Sequence, residues 1–240
     1  MFREQIKYIT ITTRSNLKTF SFHNILLALF CFVLFSNNLV SQEDDRPKIG
    51  LVLSGGGAKG FAHIGVLKVI DSLGIKVDHI AGTSMGAIIG SLYASGYSGK
   101  QLDSLFRTLD FDELINDKFS RNSKSLIERN NSERYALTLP FDGFKITLPS
   151  GISRGQNVYN LLYRLLLPVK DVDDFNNLPT PFFCIATNIE TGQPKLFESG
   201  NLAEVVTASG AFPSLFQPVE IGGQLFIDGG VTNNYPIEEF

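Results

Sequence analysis

The chain has 240 residues, 43% of them hydrophobic and 19% charged, with a formal net charge of -3 and a pI near 5.6. That length and apolar content suffice for a substantial core and exclude a disordered chain. The mildly acidic balance leaves no basic footprint, which argues against a nucleic acid partner.

Residues 1–41 read as a targeting segment. Arg14 and Lys18 precede an apolar run from Ile25 to Phe35, and Leu39, Val40 and Ser41 supply small residues before a cut. The run is about 11 residues long, within the roughly 7 to 15 of a signal core and short of the ~18 needed to span a bilayer. Cleavage is expected near Ser41-Gln42, with export to the periplasm, the outer membrane or the medium; an uncleaved anchor is the alternative. Cys31 leaves with that segment, and Cys184 then stands alone in an apolar run, Pro181 to Ala186. One cysteine forms neither an internal disulfide nor a cysteine-based zinc site, so Cys184 reads as a small buried hydrophobe.

Residues 42–47 form an acidic linker, and the folded domain is expected over 48–240. Lys48 to Leu53 reads as a buried strand, Gly55 to Gly60 as a glycine loop, and Phe61 to Leu73 as a helix stopped by Gly74. Asp78 to Gly82 is the next strand and leads into a second helix that stops near Gly96. This strand-helix alternation predicts an α/β domain with a central, mostly parallel sheet flanked by helices. A weaker helical pattern spans Ser98 to Leu114, and Asn116 to Arg134 reads as a polar surface loop. Tyr135 to Leu148 reads as a hairpin around Asp142 and Gly143. Asn157 to Leu167 is a strongly apolar helix ended by Pro168, a core element or else a lid or membrane-facing one. Pro181 to Asn188 and Gln193 to Glu198 read as a second hairpin across Thr191 and Gly192. A short helix over Leu202 to Thr207 and a last buried strand over Gln224 to Ile227 complete the pattern.

The chemistry centres on Gly82-Thr83-Ser84-Met85-Gly86, a G-x-S-x-G between a strand and a helix. A serine there stands at a sharp turn with its hydroxyl exposed at a helix N-terminus, the arrangement of a nucleophile elbow. A serine needs a base for its proton and donors for the oxyanion. All three histidines, His23, His63 and His79, precede Ser84, whereas the α/β-hydrolase order places acid and then histidine after the serine, so either that fold does not apply or the chain stops short of its base. His63 and His79 read as structural. Asp228 ends a buried strand and is followed by Gly229 and Gly230, which makes it the better base. Gly55, Gly56 and Gly57 offer successive backbone N–H groups for an oxyanion hole. Lys59 is either a lipid-phosphate contact or a solvated surface lysine. The same loop fits G-x-G-x-x-G, yet Asp78 precedes the second strand where a ribose-binding acid should follow it, and the Lys-Ser/Thr of a P-loop is absent after Gly60.

Three motifs in this order, Gly55 to Gly60, Gly82 to Gly86 and Asp228-Gly229-Gly230, together with ASGAFPSLFQPV before the aspartate, resemble the patatin-like phospholipase family over about Lys48 to Phe240. The resemblance implies a metal-independent Ser-Asp dyad without cofactor, acting on acyl esters of phospholipids and other lipids at a membrane surface. It makes Ser84 the nucleophile, Asp228 the base and Gly55 to Gly57 the oxyanion hole, with Gly60, Gly82, Gly86, Gly229 and Gly230 as motif glycines. Some exported bacterial members are similar in joining such a domain to an outer-membrane barrel, and the short stretch after Asp228 suggests a fragment of a longer protein. Acyl transfer with the same dyad and a non-catalytic lipid-binding module are the competing functions.

Overall fold

A computed structural model describes residues 46–117, 141–142, 145–146 and 151–240. The targeting segment, the first part of the linker, and most of the 116–134 loop and the 135–148 hairpin lie outside the described residues. Residues 48–240 form one unit built on a six-stranded sheet. Its strands are β1 (Gly50–Leu53), β2 (His79–Thr83), β6 (Phe182–Asn188), β7 (Pro194–Phe197), β9 (Val219–Ile221) and β10 (Gln224–Asp228). Two smaller pairings accompany it, β3 (Phe141–Asp142) with β4 (Lys145–Ile146), antiparallel as the hairpin reading required, and β5 (Gly151–Ser153) with β8 (Ser214–Phe216), parallel.

β1, β2 and β6 are parallel, and β7, β10 and β9 extend the sheet antiparallel. β6 organises the rest because all seven of its residues are buried, so it must be covered on both faces and paired on both edges. One edge of Cys184 to Thr187 is taken by β7, the second arm of the expected hairpin. A strand residue has only two edges, so β2 and β10 share the other. β2 runs parallel to the first half of β6 and ends with Thr83 opposite Ile185. β10 runs antiparallel to the second half and ends with Asp228 opposite Ala186. The two strands therefore approach head-on and stop against neighbouring residues of β6.

Helix α1 (Ala62–Ser72) follows a 3-10 turn at Gly57–Phe61. Apolar residues recur along it close to helical spacing, yet Val66 and Leu73 are 51% and 68% exposed and only Ile64 and Leu67 are buried. The helix packs chiefly on the later helix Gly99–Thr108. β1, which pairs only with β2 among the described residues, is fully buried only at Leu53. Helix α2 (Met85–Ala94) is buried along most of its length and packs on β2 and β6. Ser98 and Gln101 form a capping box at the start of α3 (Gly99–Thr108), and Asp110 caps a separate short α4 (Phe111–Ile115), dividing the single helix expected there. Helix α5 (Gln156–Leu165) buries Leu162 and abuts α6 (Leu202–Ser209), which Asn201 caps through Glu204 N–H. Burial of side chains such as Ile80, Phe182 and Val206 is worth roughly 1.5–3 kcal/mol each. Among the described residues no helix is long and apolar enough to cross a membrane.

Gly86 shows how closely these layers meet. A Cβ there would fall on the Leu53 carbonyl of β1, so only glycine lets α2 begin this near the sheet. Gly86→Ala is expected to lower stability by about 1–3 kcal/mol, measured by urea unfolding; wild-type stability would contradict the close contact.

Candidate active site

The head-on meeting of β2 and β10 delivers two side chains to one point. Ser84, between β2 and α2, has φ 55° and ψ -123°, a conformation that an L residue rarely adopts. Such a backbone costs ~1–3 kcal/mol and must be held from outside. Ser84 N–H donates to Ser209 Oγ at 3.0 Å, and the buried Ser209 Oγ donates onward to the Ile185 carbonyl at 2.5 Å. The last turn of α6 thus ties the elbow to β6. With its backbone so fixed, Ser84 Oγ donates to Asp228 Oδ2 at 2.6 Å across 144 positions of sequence.

Asp228 is held as firmly. Its N–H donates to the Ala211 carbonyl at 2.9 Å, its carbonyl accepts from Thr187 Oγ1 at 2.9 Å, and its Oδ1 accepts from Gly230 N–H at 2.7 Å. Only 4% of the residue is exposed. Burial pushes its carboxyl above the ordinary carboxylate range, while the bonds from Ser84 and Gly230 pull the other way and are outweighed. A carboxylate raised in this manner is a better proton acceptor than a solvated one.

The glycine loop requires one correction. Gly55 was assigned to the oxyanion hole, but its N–H already donates to Asn234 Oδ1 at 3.0 Å, and a donor so engaged is not free for an oxyanion. Gly56 and Gly57 line the same cavity as Ser84 and Asp228. Lys59 is exposed on the 3-10 turn and does not line that cavity. Of the motif glycines, Gly60, Gly82 and Gly229 sit where a Cβ would meet Met85, Ala87 and the Ile185 carbonyl, and Gly230 supplies the N–H to Asp228.

The two described histidines stand apart from the dyad. His63 Nε2 bonds the Ser54 carbonyl at 2.9 Å, bracing the residue before the loop. His79 packs against Phe183 and Phe240, and burial holds its ring below the usual histidine range. Cys184 is completely buried and its thiol is pushed up by desolvation, which makes it inert. No cluster of three or more His, Cys, Asp or Glu side chains able to hold a metal occurs among the described residues.

Above the dyad opens a cavity of about 850 Å³. Its walls are largely apolar, with Ile88 from α2, Phe106 from α3, Leu114 from α4, Val158 and Leu161 from α5, and Leu215 and Phe216 from β8. The 157–167 helix is therefore both core and cavity wall: Leu162 and Leu166 are buried, while Leu167 is 43% exposed. Phe212 and Val231, 59% and 55% exposed, also line the cavity. Arg154 is the one cationic residue among the lining residues. A space this size, with few polar groups beside a serine-carboxylate pair, suits an apolar chain attached to a polar reacting centre.

Sequence reasoning missed Ser209, Thr187 and Asn234. Each acts through backbone groups of remote elements, and no local pattern marks a polar residue for that task. Ser209 lay within the stretch that carried the family resemblance, without any role attached to it.

A family model for patatin-like phospholipase matches residues 51–240. An uncharacterized NTE family protein of Mycobacterium tuberculosis is 29% identical over 196 residues, covering 82% of this chain and 46% of that protein. Patatin-like phospholipase domain-containing protein 6 of Homo sapiens is 31% identical over 194 residues, covering 79% of the chain and 12% of the relative. Lysophospholipase nte1 of Aspergillus fumigatus is 30% identical over 190 residues, covering 79% and 11%. The chain thus spans about half the length of the mycobacterial relative and about a tenth of the other two. Among solved structures, VipD from Legionella pneumophila shares the fold, with a TM-score of 0.51 and 19% identity over 80% of this chain and 47% of that one. By the extent of the family match, this chain belongs to the patatin-like phospholipase family.

Proposed function

We propose that the protein is a lipid acyl hydrolase in which Ser84 attacks a carboxylic ester and Asp228 is the base. The observation that carries this reading is the 2.6 Å hydrogen bond from Ser84 Oγ to Asp228 Oδ2 at the floor of an apolar cavity. Family membership and the name of the fungal lysophospholipase relative support lipid esters as the substrate class.

In the proposed reaction Asp228 Oδ2 takes the Ser84 proton as Oγ bonds to the ester carbonyl carbon. Negative charge moves to the carbonyl oxygen. The N–H groups of Gly56 and Gly57, with the positive end of the α2 dipole, are the candidates to stabilise it. As the tetrahedral species collapses, the carbon–oxygen bond to the leaving alcohol breaks and protonated Asp228 returns its proton to that oxygen. An acyl ester on Ser84 remains. Asp228 then takes a proton from water, the hydroxide attacks the acyl carbon, and the proton passes back to Ser84 as the fatty acid leaves. The exposed apolar residues Phe212 and Val231 lining the cavity support access from a lipid surface. The segment before Gln42 adds export to the proposal; amino-terminal sequencing of the mature protein should then begin at Gln42, whereas a start at Met1 would contradict it.

Hydrolysis of p-nitrophenyl esters and phospholipid vesicles is expected for the wild type, with losses of about 10³-fold or more in Ser84→Ala and Asp228→Asn. Equal rates in all three would overturn the dyad. Because burial raises the Asp228 pKa, kcat/KM should fall on the acid side with a midpoint above the ordinary carboxylate value. A midpoint at or below that value would contradict an active base in this setting.

The same shift has a stability consequence with a definite sign. A group whose folded pKa is raised contributes stability that is full below its unfolded value and is lost as pH rises through the folded one. Wild type should therefore lose this contribution as pH rises from about 3.9, the reference value, through the raised value of Asp228, and Asp228→Asn should not. The variant is expected to melt above wild type at pH 7, with the gap closing toward pH 4. A gap that widened on acidification would contradict the burial-driven shift.

A further inference from the structure

Asn234 lies six residues beyond the dyad aspartate, yet its side chain belongs to the glycine loop. Its Oδ1 accepts the Gly55 N–H at 3.0 Å. A Cβ added to Gly55 would lie 2.6 Å from Asn234 Oδ1 and 2.8 Å from Ser84 Cβ. One added to Gly230 would lie 2.9 Å from both Asn234 Oδ1 and Asp228 Oδ1. The Asn234 amide therefore wedges between the glycine loop, the elbow serine and the Asp228 turn, and it lines the cavity that contains Ser84 and Asp228.

The backbone that carries Asn234 is pinned on both sides. Asn233 N–H donates to the Gly229 carbonyl at 2.9 Å, and the Asn233 carbonyl accepts from Thr83 Oγ1 at 3.1 Å, which anchors this residue to the end of β2 and to the Asp228 turn. Asn233 Oδ1 closes the next turn by accepting from Tyr235 N–H at 3.2 Å. A short polar side chain on such a brace transmits the position of the dyad to whatever it holds. What it holds is the first amide of the loop whose next two residues, Gly56 and Gly57, line the cavity shared by Ser84 and Asp228. Gly57 has φ 54° and nothing within 4 Å of a Cβ position, and the Gly56 carbonyl accepts from Lys59 N–H at 3.1 Å on the far side, so at its near end the loop is anchored by the Gly55 bond to Asn234.

We infer that Asn234 is a positioning residue that fixes the glycine loop over Ser84 through the Gly55 N–H, so that the following amides meet the developing oxyanion. The inference takes the hydrolase reading as its frame, and it makes the engaged Gly55 N–H a support of the oxyanion hole. Loss of that support displaces donors without removing them, and a displacement of about 1 Å can cost on the order of 10²-fold in rate.

The test compares wild type with Asn234→Ala and Asn234→Asp in the full chain, using p-nitrophenyl ester hydrolysis, thermal melting and hydrogen exchange of the Gly55 amide by NMR. Asn234→Ala should lower kcat about 10- to 100-fold with KM and melting temperature near wild type, and the Gly55 amide should exchange faster. Asn234→Asp keeps an acceptor, so it should restore Gly55 protection and part of kcat. Its second carboxylate beside Asp228 should also move the acid limb of the pH profile upward. Wild-type kcat or unchanged Gly55 exchange in Asn234→Ala would overturn the inference. So would a restored Gly55 bond in Asn234→Asp without any gain in kcat. If the wild type itself hydrolysed no ester and took no fluorophosphonate label, the hydrolase reading would fail, while the exchange contrast would still report on the Asn234 brace.

Discussion

The structure depends on the competition of β2 and β10 for one edge of β6. With β7 on the opposite edge, two strands from distant parts of the chain must share what remains, and they do so end to end. Their last residues fall opposite Ile185 and Ala186, so the Ser84 and Asp228 side chains meet as a consequence of sheet register. A one-residue slip of β10 would turn Asp228 to the other face of the sheet. The site is thus as stable as the ladder beneath it, which lies among the most buried residues of the fold.

Two costs are concentrated at that meeting point. Ser84 holds a backbone conformation that L residues disfavour, and Asp228 is a buried carboxylate. Neither would persist alone. The surrounding polar groups offset them: Ser209 takes the Ser84 N–H, Thr187 and Ala211 hold the Asp228 backbone, and Gly230 bonds its carboxylate. Part of the folding free energy is in effect given up to keep a basic carboxylate dry beside a hydroxyl, as expected where reactivity and stability compete. The cavity above has largely apolar walls, and in the proposed reading the same low-polarity surroundings that raise the Asp228 pKa would receive the chain of a lipid ester.

Much of this was legible in the sequence, for identifiable reasons. The elbow was readable because an apolar strand, a G-x-S-x-G and an apolar helix occur within one short stretch around Ser84. The β6–β7 hairpin showed itself through two apolar runs and Thr191-Gly192. Asp228 stood out because it ends an apolar strand before two glycines and no histidine follows Ser84 in this sequence. What stayed hidden was largely non-local. The short strands β5 and β8 are defined by pairing with each other from distant parts of the chain, and β9, although it pairs with the neighbouring β10, is like them only three residues long and carries too little periodicity to be seen. The division of α3 from α4 rests on the Asp110 cap, which outweighed a continuing apolar pattern. Gly55 was misassigned for the same reason that Asn234 was missed: a backbone N–H looks free in sequence until a side chain 179 positions away claims it.

The most direct test is to quench the protein during turnover of a p-nitrophenyl ester and map the acyl group by mass spectrometry. The expected result is a single acyl adduct on the peptide containing Ser84, absent when Asp228 is replaced by Asn. An adduct on another residue, or turnover with no acyl-enzyme at all under conditions that trap acyl-serines, would contradict a Ser84–Asp228 dyad.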